Sequence, residues 1–406
     1  MALENLDGLD NDDNALDIDN DEQHGDGADA ALLDMQDTAT DASANDVAVD
    51  ELENTVAALE SLLETAEASQ EAGGLDPVAA ELLQKAVENE TAPLGTPAEE
   101  IVPALENFTS PSSRRQSTVM ACEGIKEWID KAWAKIKELI QKGRDLAKKL
   151  FIQVKQAIQG LERRVKGLKA DAANRNGSMP KSGNVELGSD AFTGEGDAAK
   201  LNQLLKAILT DYAGAAIGHA KAVASALSAG DAAKVNKEAG AEGGAEGESK
   251  EEFTIPPAMK APIQKLDGFK MLPGGRSIRN AGDTLAIHAD KSGSKKYIGK
   301  ALGLDKINEI LTQLEEAAKT VTGFEKNFQE KDRAEEAVIK AGDEFAKKAK
   351  SNDKASDPEA RAAINAAKDA ARLLNQPIKD VLSYSATAIN GIAAFVAANL
   401  KQYDKK

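Results

Sequence analysis

The chain has 406 residues, is 42% hydrophobic but only 4% aromatic, and carries a net charge of −18. So few aromatic side chains, with Ala, Lys, Glu, Leu and Asp abundant, suit long helices joined by thin Ala/Leu seams better than two or three bulky globular cores. The single cysteine, Cys122, excludes an intramolecular disulfide and favours a reducing compartment.

The charge is distributed unevenly. Residues 1–110 carry 29 Asp and Glu against the single Lys85, a net of −28; residues 114–181 carry 17 Lys and Arg against 7 acids, a net of +10; residues 182–406 carry 32 of each sign. The chain is therefore a polyanion, a polycation and a neutral body in series. Its opening, MALENLDGLDNDD, has no basic n-region and no apolar run, so no secretory signal is expected. The apolar run Ala207–Ala229 is interrupted by Asp211, His219 and Lys221, and Ala386–Leu400 is too short to span a bilayer, so no membrane partner is expected.

Taken in order, residues 1 to about 45 are rich in Asp and Asn with few large apolar groups, a composition expected to stay disordered. Within the acidic segment 1–106 two short helices are predicted. Leu52, Val56, Leu59 and Leu63 form the stripe of one; Leu82, Leu83 and Val87 form that of the other, which starts at Pro77. Residues 107–120 read as a Ser/Pro linker, and 121–172 as a basic amphipathic helix about 70 Å long. Its stripe is Ile125, Ile129, Trp133, Ile136, Ile140, Leu146, Leu150, Val154, Ile158, Leu161, Val165 and Leu168. A Gly/Ser-rich loop follows over 173–197, a helix over 198–236 and a low-complexity linker over 237–252. Residues 253–300 lose the helical period: FTIPPAM, GFKMLPGGRSIRN and TLAIHAD read as short strands. Helix returns over 301–406. The expected fold is mainly α: an elongated antiparallel helical bundle with a small β/loop insert and a disordered acidic N-terminal region.

Nothing in the chain assembles familiar catalytic chemistry, and a non-enzyme without metal or cofactor is expected. A cysteine nucleophile needs a histidine base, and the only histidines are His24, His219 and His288. Asp17, Asp19 and Asp21 imitate the start of a calcium loop, but Glu22 replaces the required glycine and Ala28 the required glutamate. Gly293–Ala301 (GSKKYIGKA) misses the spacing and the hydroxyl of a phosphate loop and reads better as a helix start. RRQS, ending at Ser117, has the form of a basophilic phosphorylation site, which an exposed seam explains as well.

The cationic helix is more informative. Arg114, Arg115, Lys126, Lys131, Lys135, Lys137, Lys142, Arg144, Lys148, Lys149, Arg163, Arg164, Lys166 and Lys169 are candidate contacts to DNA phosphates, sequence-blind and salt-dependent. The bland alternative is the solvated outer face of a bundle helix, and periodicity alone does not separate the two. A −28 segment tethered beside this helix would sit near it at high effective concentration, so the N-terminal quarter is expected to act as an electrostatic mask. The junction holds Ala104-Leu105-Glu106 followed by Asn107-Phe108 in a Pro-flanked loop, where a protease could bind an extended chain. Similar small-x-Glu triplets end at Glu4, Glu60, Glu81, Glu88 and Glu100, and Gly244-Ala245-Glu246 lies in the low-complexity linker.

An acidic segment ending in ALENF, then Ser-Pro, paired arginines, the Trp-containing EWIDKAWAKIKELIQK and a last helix ending ANLKQY resembles the internal head proteins, or inner-body and prohead-core proteins, of phiKZ-like giant tailed bacteriophages. The resemblance implies a virion structural protein made as a pro-form. A phage prohead protease would cut after Ser/Ala/Gly-x-Glu, with Glu106 before the scissile bond, Ala104 as the small residue and a further cut after Glu246. It also implies other capsid core proteins and packaged DNA as partners, self-association through helices, residence inside the capsid, and the host cytoplasm during assembly. Two rival readings are a helical-bundle pore-forming toxin or secreted effector, whose tongue would be residues 253–297, and a cellular coiled-coil scaffold or DNA-associated protein.

Overall fold

Helix dominates, as the low aromatic content and the 3.6-residue apolar stripes predict. The computed structural model describes residues 25–177, 183–187, 198–239, 255–269, 272, 276–281, 284–289, 297–351, 358–375 and 377–406. The helices are α1 (Gly25–Glu71), α2 (Pro77–Thr91), α3 (Pro111–Ala173), α4 (Ala198–Lys206), α5 (Ala213–Ala229), α6 (Ala232–Ala239), α7 (Pro257–Leu266), α8 (Leu304–Thr322), α9 (Glu325–Ser351), α10 (Pro358–Asn375) and α11 (Ile378–Leu400). A single wide π-type turn, Ala207–Tyr212, joins α4 to α5. The strands are β1 (Arg175–Asn176), β2 (Asn184–Leu187), β3 (Arg276–Ala281), β4 (Thr284–Ala289), β5 (Tyr297–Lys300) and β6 (Asp404–Lys405).

The spine is α3. Ser110 accepts a hydrogen bond from the Ser113 N–H and Pro111 occupies the first turn, so the Ser/Pro seam starts a helix instead of linking two units. The expected linker over 107–120 is corrected accordingly from Pro111 onward. The helix continues through Gly143 and Gly160 for 63 residues, about 95 Å at 1.5 Å per residue. No helix of that length can bury its own stripe, and α3 uses two separate covers. Its C-terminal half, with Leu150, Phe151, Val154, Ile158, Leu161 and Val165, enters a large core built with α4–α11 and joined by Leu32 and Met35 of α1. Its N-terminal half, with Ala121, Cys122, Ile125, Ile129, Ala132 and Ile136, enters a smaller core built with α1, α2 and the loop between α2 and α3. The apolar stripe of the last helix lies in the large core as well: Ile378, Val381, Leu382, Ile389, Ile392, Val396 and Leu400 are buried. By length and composition that stretch could cross a bilayer; in the fold its apolar side chains are interior.

The N-terminal region departs most from expectation. Residues 1–24 lie outside the described residues, but α1 is already formed at Gly25 and continues to Glu71, so the disorder expected to about residue 45 does not extend past the start of that helix. Leu32, Met35 and Ala42 are buried, and they give the Ala/Asp-rich first half of α1 an interior face too sparse to stand out in composition. In α2 the inward face is Ala80, Leu83 and Val87 at spacings of 3 and 4, while Leu82 points to solvent.

The β content consists of three two-stranded antiparallel pieces: β1 with β6, β2 with β5, and β3 with β4. The expected strand at FTIPPAM is instead the start of α7, because Pro256 precedes the helix and Pro257 suits its first turn. GSKKYIGKA contributes β5 where a helix start was expected, since Tyr297–Lys300 finds a partner strand in Asn184–Leu187 more than a hundred residues earlier. The β3–β4 pair, in register from Arg276 opposite Ala289 to Ala281 opposite Thr284, takes in the expected strand segments RSIRN and TLAIHA. The linker residues 240–252 and the triplet ending at Glu246 lie outside the described residues.

Two measurements probe this core. Phe151 stacks on Phe328 with ring centroids 4.3 Å apart and meets Phe324 edge-on at 6.2 Å; Phe151→Ala should lower stability by roughly 3–5 kcal/mol in a denaturant titration. His219 is 3% exposed, and its Nδ1 has no hydrogen-bond partner among the described residues. Burial pushes its pKa below the ordinary value of 6.5, against a small opposing pull from Glu238. The unfolded chain therefore binds a proton near pH 6.5 that the folded chain resists. Thermal stability should fall as pH drops through that value, and His219→Leu should flatten the dependence.

Candidate functional site

The junction between polyanion and polycation is an ordered turn. Pro97 precedes a short 3-10 turn at Ala98–Glu100, and a second runs Leu105–Phe108. Ala104, Glu106 and Asn107 are exposed, Leu105 is half-buried, and Phe108 is completely buried in the smaller core. The Ser117 hydroxyl donates to the Asn107 carbonyl at 2.9 Å, and Arg114 Nε donates to the Phe108 carbonyl at 3.1 Å. The chain is thus presented to solvent at the Glu106–Asn107 bond and anchored immediately after it. The other small-x-Glu triplets in the described N-terminal helices are placed differently: Leu59, Ala80 and Val87, their middle residues, are all fully buried.

The acidic segment does not spread over the cationic face. Val56, Leu59, Leu63 and Ala66 of α1 pack on the apolar stripe of α3, so α1 covers grease and leaves its acids toward the rim. This revises the electrostatic mask: the contact is an amphipathic one, with charge at its edges. Glu67 pairs with Lys126 at 2.6 Å, Asn45 Nδ2 donates to the Leu139 carbonyl at 2.9 Å, and the Leu75 N–H donates to Thr118 Oγ1 at 2.9 Å. Further along, Asp50 pairs with Arg372 at 3.1 Å and Asp46 with Lys379. The fit is close. A Cβ at Gly124 would sit 2.0 Å from the Ile101 carbonyl oxygen, and one at Gly74, whose φ is +97°, would sit 2.6 Å from the Arg114 backbone.

Many of the fourteen candidate DNA contacts are engaged within the fold. Lys137 pairs with Asp343, Arg144 with Asp332 and Glu336, Lys148 with Asp332, Lys169 with Glu315, and Lys135 with Glu138 of its own helix. Arg164 donates to Asn390 Oδ1 at 2.6 Å. Arg144 is the interior member: burial opposes its charge, and Asp332 and Glu335 outweigh that and raise its pKa. Six remain exposed with neither an ion pair nor a side-chain hydrogen bond among the described residues: Arg115, Lys131, Lys142, Lys149, Arg163 and Lys166. Lys131, Lys142 and Lys149, spaced 11 and 7 residues apart, share one side of α3. Sequence reasoning missed the acidic partners on α8 and α9 because they lie more than a hundred residues downstream.

Cys122 is 3% exposed beneath α1, and burial, assisted by Glu67, raises its thiol pKa, the reverse of what an activated nucleophile needs. Among the described residues no group of three or more His, Cys, Asp and Glu could hold a metal ion.

Fold and junction together define a helical structural protein in which an acidic N-terminal segment is docked on a long cationic spine. A family model for phiKZ-like phage internal head proteins matches residues 20–398, and the chain belongs to that family. No curated protein and no solved structure matches it. The family consists of structural proteins located inside the phage head, in association with other capsid components, which displaces the toxin and cellular-scaffold readings.

The internal pairing of α3 separates two kinds of cation experimentally. Arg144→Ala removes one partner of a buried charge network and should cost roughly 3 kcal/mol. Lys149→Ala, on the solvated face, should stay within about 0.5 kcal/mol of the parent. Paired denaturant titrations distinguish them.

Proposed function

We propose that the protein is synthesised in the host cytoplasm as a pro-form, assembles with other core proteins in the prohead, and is cut after Glu106 by the phage prohead protease. The mature chain from Asn107 onward carries 49 Lys and Arg against 39 acids, a net of +10, and lies against packaged DNA. The observation that carries this reading is the coincidence at one bond: the small-x-Glu triplet is exposed where the sign of the chain reverses, and the first large residue after it is already locked in the fold. Cutting there takes 29 acids and one lysine off a chain whose spine is otherwise intact. Glu246 offers a later cut.

DNA association in this reading is a long-range, sequence-blind attraction. The six α3 cations left outside ion pairs and hydrogen bonds would by themselves give log K against log salt a slope of about −5.

Three results test the proposal. Mass spectrometry of purified particles should find peptides from 107–406 in excess of those from 1–106, with a semi-specific peptide beginning at Asn107; its absence sinks the processing step. In partial digests the cut after Glu106 should precede cuts after Glu60, Glu81 and Glu88, whose triplets are held in packed helices. In gel shifts at matched salt the chain lacking 1–106 should bind duplex DNA more tightly than the full chain. Replacing Lys131, Lys142 and Lys149 by Ala should then make the salt slope shallower by about 3.

A further inference from the structure

The smaller core is an interface between two parts of the chain that the Glu106–Asn107 bond would separate. On the body side, Cys122, Ile125, Ile129, Ala132 and Ile136 follow one another at spacings of 3, 4, 3 and 4, the heptad spacing of a helix that expects a second helix along it. On the segment side, Val56, Leu59, Leu63 and Ala66 follow at 3, 4 and 3. Lys126, Lys135 and Lys142 fall at the positions that flank the body stripe. Laying a second copy of the same stripe against it would set lysine against lysine, whereas the acidic segment sets Glu67 against Lys126, with Lys135 held by Glu138 of its own helix.

We propose that the N-terminal half of α3 is a docking groove for an acidic amphipathic helix, and that its occupant is the 25–106 segment acting as a separate subunit: a cut after Glu106 leaves the segment seated. The proposal rests on the processing reading for its biological occasion, but not for its contacts. None of the contacts that seat the segment runs through the scissile bond. The apolar seam, the Asn45–Leu139 and Leu75–Thr118 hydrogen bonds and the close approach of Ile101 to Gly124 all survive it. Phe108 and Ser117, on the other side, hold the new chain start in place. Loss of the polyanion then needs a second event, such as cuts within α1 and α2 as the segment opens.

The single thiol reports on the groove, because Cys122 lies beneath α1. In a full chain with a rare-cutting protease sequence inserted between Glu106 and Asn107, cutting should leave both pieces co-eluting on a sizing column at micromolar concentration. Cys122 should stay as protected from an aromatic disulfide thiol reagent as before the cut. A segment that elutes alone after the cut, with Cys122 reacting as in urea, overturns the proposal. Leu59→Asp in the same cut chain should release the segment and speed thiol reaction at least tenfold; unchanged protection overturns the assignment of the groove. A milder surface variant, Lys126→Glu, should weaken protection roughly two- to fivefold, and adding Glu67→Lys should restore it; failure to restore it removes the preference for acidic partners. These outcomes use no phage protease, so absence of natural cleavage in particles would sink the processing reading while leaving the groove standing.

Discussion

Everything in this fold follows from the need to cover one apolar stripe that runs the length of a 63-residue helix. Each large aliphatic side chain left in water along α3 would forfeit roughly 1.5–3 kcal/mol, and the stripe carries such residues in nearly every turn. A single globular body of this composition cannot reach both ends of a rod about 95 Å long. The chain answers with two covers, one made by the C-terminal helices and one by the acidic N-terminal helices. Between them, around Lys137, Arg144 and Lys148, the packing turns polar, with Asp332, Glu336 and Asp343 across from the basic side chains. Asn45 on α1 meets Gly143 in the same stretch, where a Cβ would lie 3.1 Å from its amide nitrogen. There the first half of α1 reaches the large body through its Asp46 and Asp50 pairs with Lys379 and Arg372.

The distribution of charge has a local and a long-range consequence, and they differ. Locally, Lys137, Arg144, Lys148 and Lys169 are structural, since acidic partners on α8 and α9 offset the cost of bringing them out of water. Beyond contact distance the potential at any point sums the charges within a screening length of about 8 Å at physiological salt, so it follows the surplus of one sign along each stretch of surface. The full chain sums to −18 and the stretch from Asn107 onward to +10. The second number arises almost wholly from subtraction of the N-terminal quarter. Reversal of the net charge therefore requires loss of α1 and α2, which cover the N-terminal half of α3.

The sequence made the stripes legible because helical burial is periodic and local. The inward positions of α3, of α4 with α5, and of α11 match the apolar residues spaced at three and four, and the Asp76 cap with Pro77 marks the start of α2. Pairings that bring distant residues together were not legible. Arg175 and Asn176 pair with Lys405 and Asp404, and Asn184–Leu187 with Tyr297–Lys300, through backbone bonds that leave no mark on either short segment. The first half of α1 escaped for a related reason: its composition is that of a solvated chain, and the partners that hold Leu32 and Met35 lie in a core assembled from the far end of the sequence. At the junction, the break between helices was legible from Pro93, Pro97 and Pro103, but Ser110 and Pro111 read as punctuation when they in fact open the longest described helix. Ser-Pro supports either reading, and the helix that follows decides between them.

An acidic segment that is folded and seated differs physically from one that merely hovers near a cationic surface. A hovering polyanion would leave as soon as its tether was cut, and salt would loosen it beforehand. A segment held by Leu59, Leu63, Phe108 and the contact of Ile101 with Gly124 depends chiefly on burial, which physiological salt barely weakens. Two properties of the chain are thereby uncoupled: its covalent continuity at Glu106 and the shielding of the α3 stripe. The first is exposed to a protease in the folded protein. The second is controlled by the stability of α1 on its groove, so a break at that bond would not by itself bring the apolar seam of the spine into the open.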